Sequence, residues 1–428
     1  MNKINTFIGY IILAFPIFMI TGSLLTNLFS IVLSLYALLN YKSLKNLILS
    51  KNKFLLIIFS FFLFIFPYDS INFENSILKF FFYFRQVFMF FGILIYLINN
   101  NLNNKILDKI KKIYLVILSI IIIDVIIEYF TGSNIFGNKA NYTGRISSFT
   151  NDELIIGYIF CFLTLISYGF IVSKIKNIYF IVFVFFALLI SFIIGERSNF
   201  IKLFLLLLLF SSFHNWRINK FSLVKLSKII LIIFSLIILF FVITKNTLQA
   251  NKFYKIPINI INGNEINFDI KENFYKSKHA PHYLTAINIF STYPIFGIGI
   301  NNFKEESKKD KYYDKELTFS EERSSSHPHQ LYFELLAEVG LFGFIYFLII
   351  FIWSLQASIK IYFMSNNPEL LGHIMLYLFF IFPILPSGSF FGTTYGLPFW
   401  FNFAILIYLI NKKFFKTNNK KITFKSIF

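Results

Sequence analysis

The chain has one cysteine, Cys161, in 428 residues, and that lone thiol lies inside an apolar run. No intramolecular disulfide can form, so any exported loop must hold together by packing and hydrogen bonds. Arginine is scarce too: of forty basic residues only Arg85, Arg145, Arg197, Arg217 and Arg323 are arginine. Charge as a whole is thin, at 14% of residues, where a soluble domain carries about a quarter. That excludes an ordinary soluble protein. Internal repeats are absent, and the polar groups crowd chain segments outside the apolar runs. Both features speak against a transporter, whose repeats and broken helices place polar sites near the membrane midplane. The formal net charge of +19 does not point to nucleic acid, because the basic residues are spread through short connections and form no stripe.

What the sequence does hold is hydrophobic bulk, 57% of residues with 62 phenylalanines. Apolar runs suited to membrane helices fall near residues 7–21, 24–39, 54–67, 80–98, 113–130, 154–173, 178–194, 198–213, 228–244, 336–359, 371–385 and 396–411. Several are shorter than the roughly 20 residues that cross the hydrocarbon core unaided. The pattern predicts an all-α polytopic membrane protein of about twelve transmembrane helices, with one large periplasmic loop containing short helices. Residues 1–244 carry nine of the helices, 245–333 the loop, 334–411 the last three helices and 412–428 a basic tail. Met1 to Thr6 leads straight into an apolar run, which reads as a first span and not as a cleaved leader.

Lysine placement predicts the orientation. Clusters at 42–53, 105–112, 217–228 and 412–425, with Lys3, Lys174, Lys176 and Lys360, occupy every second connection. The alternate short connections hold only Lys79, Lys139, Arg145 and Arg197. Positive residues stay cytoplasmic, so both termini are expected inside and the 245–333 insertion outside.

Within the insertion, 283–293 reads as a helix stopped by Pro294, 296–303 as a glycine-permitted turn, and 304–322 as charged and solvent-exposed. The stretch Ser324-Ser325-Ser326-His327-Pro328-His329-Gln330 then meets an apolar helix. Proline suits a first helical turn, so His329 is expected in that turn, where the helix dipole keeps an imidazole neutral and welcomes an anion. Arginine forks clamp phosphate bidentately and lysine does not. Arg85 sits near the outer end of a span, where a charge is costly and by default functional, unless it merely snorkels. Arg197 lies in the short turn Gly195-Glu196-Arg197-Ser198, with Glu196 as a possible ion-pair partner. Asp124 and Glu128, one helical turn apart, either orient an arginine or pass protons. The histidines His279, His282, His327 and His329 have spacings that also allow a metal site, which no cysteine supports. Glu334 and Glu338 read as supports that fix the histidine or cap basic neighbours.

Four segments in order resemble the O-antigen ligase and O-antigen polymerase superfamily of bacterial envelope glycosyltransferases: Gly144-Arg145-Ile146-Ser147-Ser148-Phe149-Thr150-Asn151-Asp152-Glu153-Leu154; Gly195-Glu196-Arg197-Ser198; Tyr293-Pro294-Ile295-Phe296-Gly297-Ile298-Gly299-Ile300-Asn301-Asn302-Phe303; and the His-Pro-His-Gln stretch with its Glu-Val-Gly-Leu-Phe-Gly continuation. The resemblance implies a metal-independent inverting transferase in the bacterial inner membrane, with no cofactor. It implies a donor glycan on undecaprenyl pyrophosphate, and either a lipid A core sugar (ligase) or a growing glycan (polymerase) as acceptor. Membrane lipids surround it and nucleic acid has no part. Carried over, His329 is the base with His327 second, while Arg197 and Arg145 hold the pyrophosphate, joined by Arg85. His279 and Lys304 stand where many relatives show arginine, and Gln330 where asparagine is common.

The orientation is testable by single cysteines in a Cys161→Ser background. Cysteines at Asn141, Gly263 and Gly388 should react with an impermeant thiol reagent in spheroplasts, and one at Asn103 should not. Labelling at Asn103 overturns the orientation.

Overall fold

A computed structural model describes residues 3–49, 53–100, 105–140, 144–150, 155–174, 177–219, 247, 249 and 274–415. The described elements are all helical, with no strand among them. The span expected at 228–244, the first part of the insertion and the end of the basic tail lie outside the described residues. Four described helices are long and apolar enough to cross a membrane: Phe73–Asn100, Ile106–Thr131, Leu331–Ser365 and Thr393–Asn411. The pairs Lys3–Leu13 with Phe15–Thr21 and Ser23–Leu39 with Tyr41–Ile48 are bent by 52° and 84°, and bring the number to six if each is one span. Leu55–Ile65, Ile156–Val172, Val182–Ile194 and Pro368–Phe380 are apolar but short. A multi-pass membrane protein stands on these helices, whereas the expected twelve exceeds the four to six that qualify by length and composition among the described residues.

Lipid tails are as apolar as leucine, so helices associate through close packing and buried hydrogen bonds. The chain's phenylalanines supply the packing. Phe399, Trp400, Phe401 and Phe403 on Thr393–Phe415 are each at most 2% exposed. Phe401 stacks on Phe15 at 4.3 Å, and Phe61 meets Phe347 edge-on at 4.4 Å. Polar pairs pin the helices in register: Trp400 Nε1 donates to the Tyr83 hydroxyl at 2.8 Å, His373 and Asn402 share a 2.7 Å contact, and Ser34 donates to the Arg85 carbonyl at 2.7 Å.

The long helix Leu331–Ser365 breaks at Gly340, where φ is 63° and ψ −168°. A break frees backbone donors and acceptors that the surrounding core cannot leave unpaired. The 294–299 segment takes them up. Ile298 and Gly299 donate to the carbonyls of Ala337 and Glu338 at 3.0 and 2.9 Å, while Leu341 and Phe342 donate to those of Pro294 and Ile295 at 2.8 and 3.3 Å. Two of the segments singled out in sequence thus form one backbone clasp. Asn302 extends it, donating to Ser76 and to the Ile298 carbonyl at 2.9 and 2.8 Å.

The insertion carries a helix over Ala280–Thr292, with Pro281 in its first turn. Between 304 and 322 most charged side chains are exposed as expected, but Glu306 is buried. It accepts from Lys309, Lys311 and Tyr312 at 2.6, 2.9 and 2.9 Å. Three donors on one carboxylate close a compact turn where the charge pattern alone suggested an open one.

Gly340 makes a test of the clasp. A Cβ there would collide with the Ile295 carbonyl and lie 2.5 Å from the Gly297 nitrogen. Gly340→Ala should therefore cost more than the ~1 kcal/mol of a left-handed φ alone. Gly132→Ala, at φ 79° in open space, shows the backbone cost by itself. Thermal unfolding in detergent should drop clearly more for Gly340→Ala; equal drops contradict the clasp.

Candidate active site

The site is built around His329, which sits just before the Leu331–Ser365 helix and not inside it. Its φ is 59°, a left-handed conformation no helix interior accepts. Gln330 is the cap: its side-chain oxygen accepts from the backbone N–H groups of Tyr332 and Phe333 at 2.8 and 3.0 Å. Pro328 accordingly lies outside the helix, and the expected first-turn histidine moves one step out. That exit turns the His329 carbonyl toward the 381–392 loop, where the Ser387 N–H donates to it at 2.8 Å.

That loop is fastened along its length. Tyr332 donates to the Ile381 carbonyl at 2.6 Å and Lys202 to that of Pro386 at 2.7 Å. Glu334 accepts from the Phe390 N–H at 2.8 Å and from the Ser389 hydroxyl. Glu338 accepts from the Phe303 N–H at 3.3 Å. The two carboxylates therefore hold loop backbone, and Lys79 lies in the field of both as a basic neighbour.

Four imidazoles converge here. The His329 ring lies 4.4 Å from His327, 4.8 Å from His282 and 6.1 Å from His279, centre to centre. Burial first, then the neighbouring histidines, pushes His329 down to about 3. His327 falls to about 4, again chiefly by burial. Its Nδ1 pairs with Ser326 at 3.0 Å. Burial also lowers His282, against the Arg323 carbonyl 3.2 Å from its Nδ1. All four are shifted toward the neutral form, which offers a ring lone pair. Among the described residues, no three His, Cys, Asp or Glu side chains are placed to hold a metal ion.

Arg145 and Arg197 reach this cluster. His279 is lowered by burial, then by His282, Arg197 and Arg145, so both guanidinium charges fall within its range. The chain brings them together through backbone contact. Ile146 donates to the Ile194 carbonyl at 3.1 Å, and Gly195, at φ 86°, packs against Gly144 where any Cβ would collide. Both arginines are exposed. Glu196 is not a simple ion-pair partner: burial raises it to about 7 against the pull of Arg145, and it accepts from the Asn199 side chain and the Gly157 N–H. Asp124 and Glu128 brace the Arg145 loop from behind. Asp124 accepts from Ile135 N–H at 2.8 Å and the Ser148 hydroxyl at 2.5 Å, and Glu128 from the N–H groups of Ser147 and Ser148 at 3.0 and 2.6 Å. Their acceptor positions go to backbone and serine, not to an arginine or a proton path.

The remaining expected residues lie differently. Lys304 is exposed and its carbonyl accepts from Ser324, at the edge of the histidine segment. Arg85 bonds Asn27 and Thr393 and is absent from the charges that act on the histidines. Sequence reading passed over His282 as a site residue, and it gave the 381–392 loop, expected on the outer face, no part in the site. A histidine beside Pro281 at a helix start was a usable signal for the former; nothing in the composition of the loop announces the latter.

Histidines held neutral make stability depend on pH with a definite sign. Their folded values lie below the unfolded ~6.5, so the stability they contribute is complete above about pH 6.5 and is lost as pH falls. The unfolding midpoint in detergent should fall from pH 7 to pH 5, and less steeply in His329→Ala. Identical slopes would falsify the buried, neutral histidine.

No curated protein matches the chain. The family model described as O-Antigen ligase matches residues 181–348, a stretch that holds Arg197, all four histidines and the Gly340 clasp. Over that stretch, which is less than half of its length, the chain is similar to the O-antigen ligase family.

Proposed function

We propose that this protein transfers a glycan from undecaprenyl pyrophosphate to an acceptor sugar hydroxyl on the periplasmic face of the bacterial inner membrane, with both termini cytoplasmic. The observation that carries this reading is the convergence of neutral histidines with Arg145 and Arg197. Glycosyl transfer from a pyrophosphate needs those two functions together: a proton acceptor, and positive charge where the leaving group gains negative charge.

The steps balance as a single displacement. The acceptor oxygen bonds the anomeric carbon as its proton passes to His329, with His327 4.4 Å away as the second imidazole. The bond from that carbon to the pyrophosphate oxygen breaks, and its electron pair leaves on the lipid carrier. Attack opposite the leaving group inverts the anomeric configuration. Arg145 and Arg197 take up the developing charge, with His279 and Lys304 at the rim of the same opening. The phosphates also strengthen the base. Their negative charge favours an imidazolium, so donor binding raises the His329 value from about 3 toward the range in which a base works well. No step needs a metal.

Ligase and polymerase readings differ in the acceptor, and surface glycan from a deletion strain separates them. A bare core with polymer left on the carrier means ligase; single capped repeat units mean polymerase. In a purified transfer assay with lipid-linked donor, His329→Ala should abolish activity while the protein still inserts and folds. Arg197→Lys keeps the charge but loses a charge-assisted hydrogen bond, about 1.5 to 3 kcal/mol or roughly tenfold to a hundredfold in rate. Wild-type transfer by either variant removes that residue from the mechanism.

A further inference from the structure

Arg85 lies within Phe73–Asn100, a helix apolar enough to span a membrane, and it is neither exposed nor capped by a carboxylate. One guanidinium nitrogen, Nη2, donates to Asn27 Oδ1 at 2.6 Å and to Thr393 Oγ1 at 2.9 Å. Thr393 in turn donates to the same Asn27 oxygen at 2.9 Å. This closed triangle fixes the guanidinium. Its Nε is buried without a partner, and among the described residues no acidic side chain pairs with it. A snorkelling arginine would extend toward water with its orientation free. Arg85 is held in place by neutral groups with donors left over.

The surroundings suit a charged amphiphile. Ser23–Leu39 and Thr393–Phe415 both begin beside the triangle, so two positive helix ends face the same place. Phe82 lies 5.9 Å from the guanidinium and is exposed, as are Phe81 and Leu28. Apolar exposed rings around a fixed cation form an edge that lipid tails cover. A phosphate offers acceptor oxygens to Nη1, the guanidinium nitrogen outside the triangle, since Nε is enclosed by the protein.

We propose that Arg85, Asn27 and Thr393 form a lateral site for the phosphate of a membrane lipid, separate from the histidine centre. The site requires no transfer activity and stands apart from the functional reading above.

The test is native mass spectrometry of the full-length protein released from nanodiscs containing phosphatidylglycerol, with circular dichroism to confirm folding. Wild type should retain a phosphatidylglycerol that Arg85→Gln loses at least fivefold and that Arg197→Gln keeps. Arg85→Lys, which preserves charge should the glutamine variant fold poorly, should lose it threefold or more because lysine cannot keep the triangle. Excess inorganic phosphate separates the sources: a lipid site keeps its lipid. Retention unchanged in both Arg85 variants overturns the proposal. So does stabilisation by inorganic phosphate that depends on Arg85 without Arg85-dependent lipid, since that assigns the site to a free anion.

Discussion

A helix that breaks inside an apolar core must find partners for the backbone groups it releases, and at Gly340 that requirement shapes half the molecule. The freed carbonyls of Ala337 and Glu338 and the freed N–H groups of Leu341 and Phe342 are satisfied by the 294–299 segment. This ties the insertion to the membrane helix that follows it. Each unpaired group would cost ~1 to 3 kcal/mol, so four paired ones outweigh the left-handed strain at Gly340. With the clasp closed, Glu338 meets Phe303, Glu334 meets Phe390, and the start of the helix is fixed beside the 381–392 loop. His329 inherits its position from that arrangement.

The chemistry at the site follows from its electrostatics. Burial and mutual proximity deny the imidazoles a proton, and two arginines nearby reinforce the effect at His279. The cluster is thus a poor home for a cation and a good one for an anion. In the proposed reaction an arriving pyrophosphate reverses the balance, pairing with the arginines and making the nearest imidazole more basic. On that proposal binding and base activation become one event, so that a base of low intrinsic strength is strengthened only when the donor is in place.

Much of this was legible in sequence because hydropathy and glycine act locally. The apolar runs announced helices, Pro294 marked the end of a loop helix, and four separated segments pointed to one family. The assembly of the site was less legible, because it depends on which distant backbone needs which side chain. Asp124 and Glu128 looked like a charged pair awaiting an arginine, yet the Ser147–Ser148 backbone had greater need of their oxygens. Glu334 and Glu338 read as groups that fix a histidine or cap basic neighbours; they hold the 303 and 390 backbone, with Lys79 in their field. The placement of His329 turned on Gln330: a glutamine cap starts the helix later than Pro328 suggests. Among the described residues four to six helices qualify as spans by length and composition, because several apolar runs fold as short or bent helices.

The central claim is that the His329 imidazole is the proton acceptor of a glycosyl transfer. Glycine fits the 59° φ at this position without disturbing the Ser387 contact, so His329→Gly removes the ring and spares the backbone. Reconstituted with polyprenyl-pyrophosphate-linked glycan and an acceptor, that variant should be inactive alone. It should regain transfer in proportion to added imidazole, with the rescue following the neutral form as pH is raised. Transfer by His329→Gly without imidazole, or rescue that ignores the protonation state of the added base, would contradict the account.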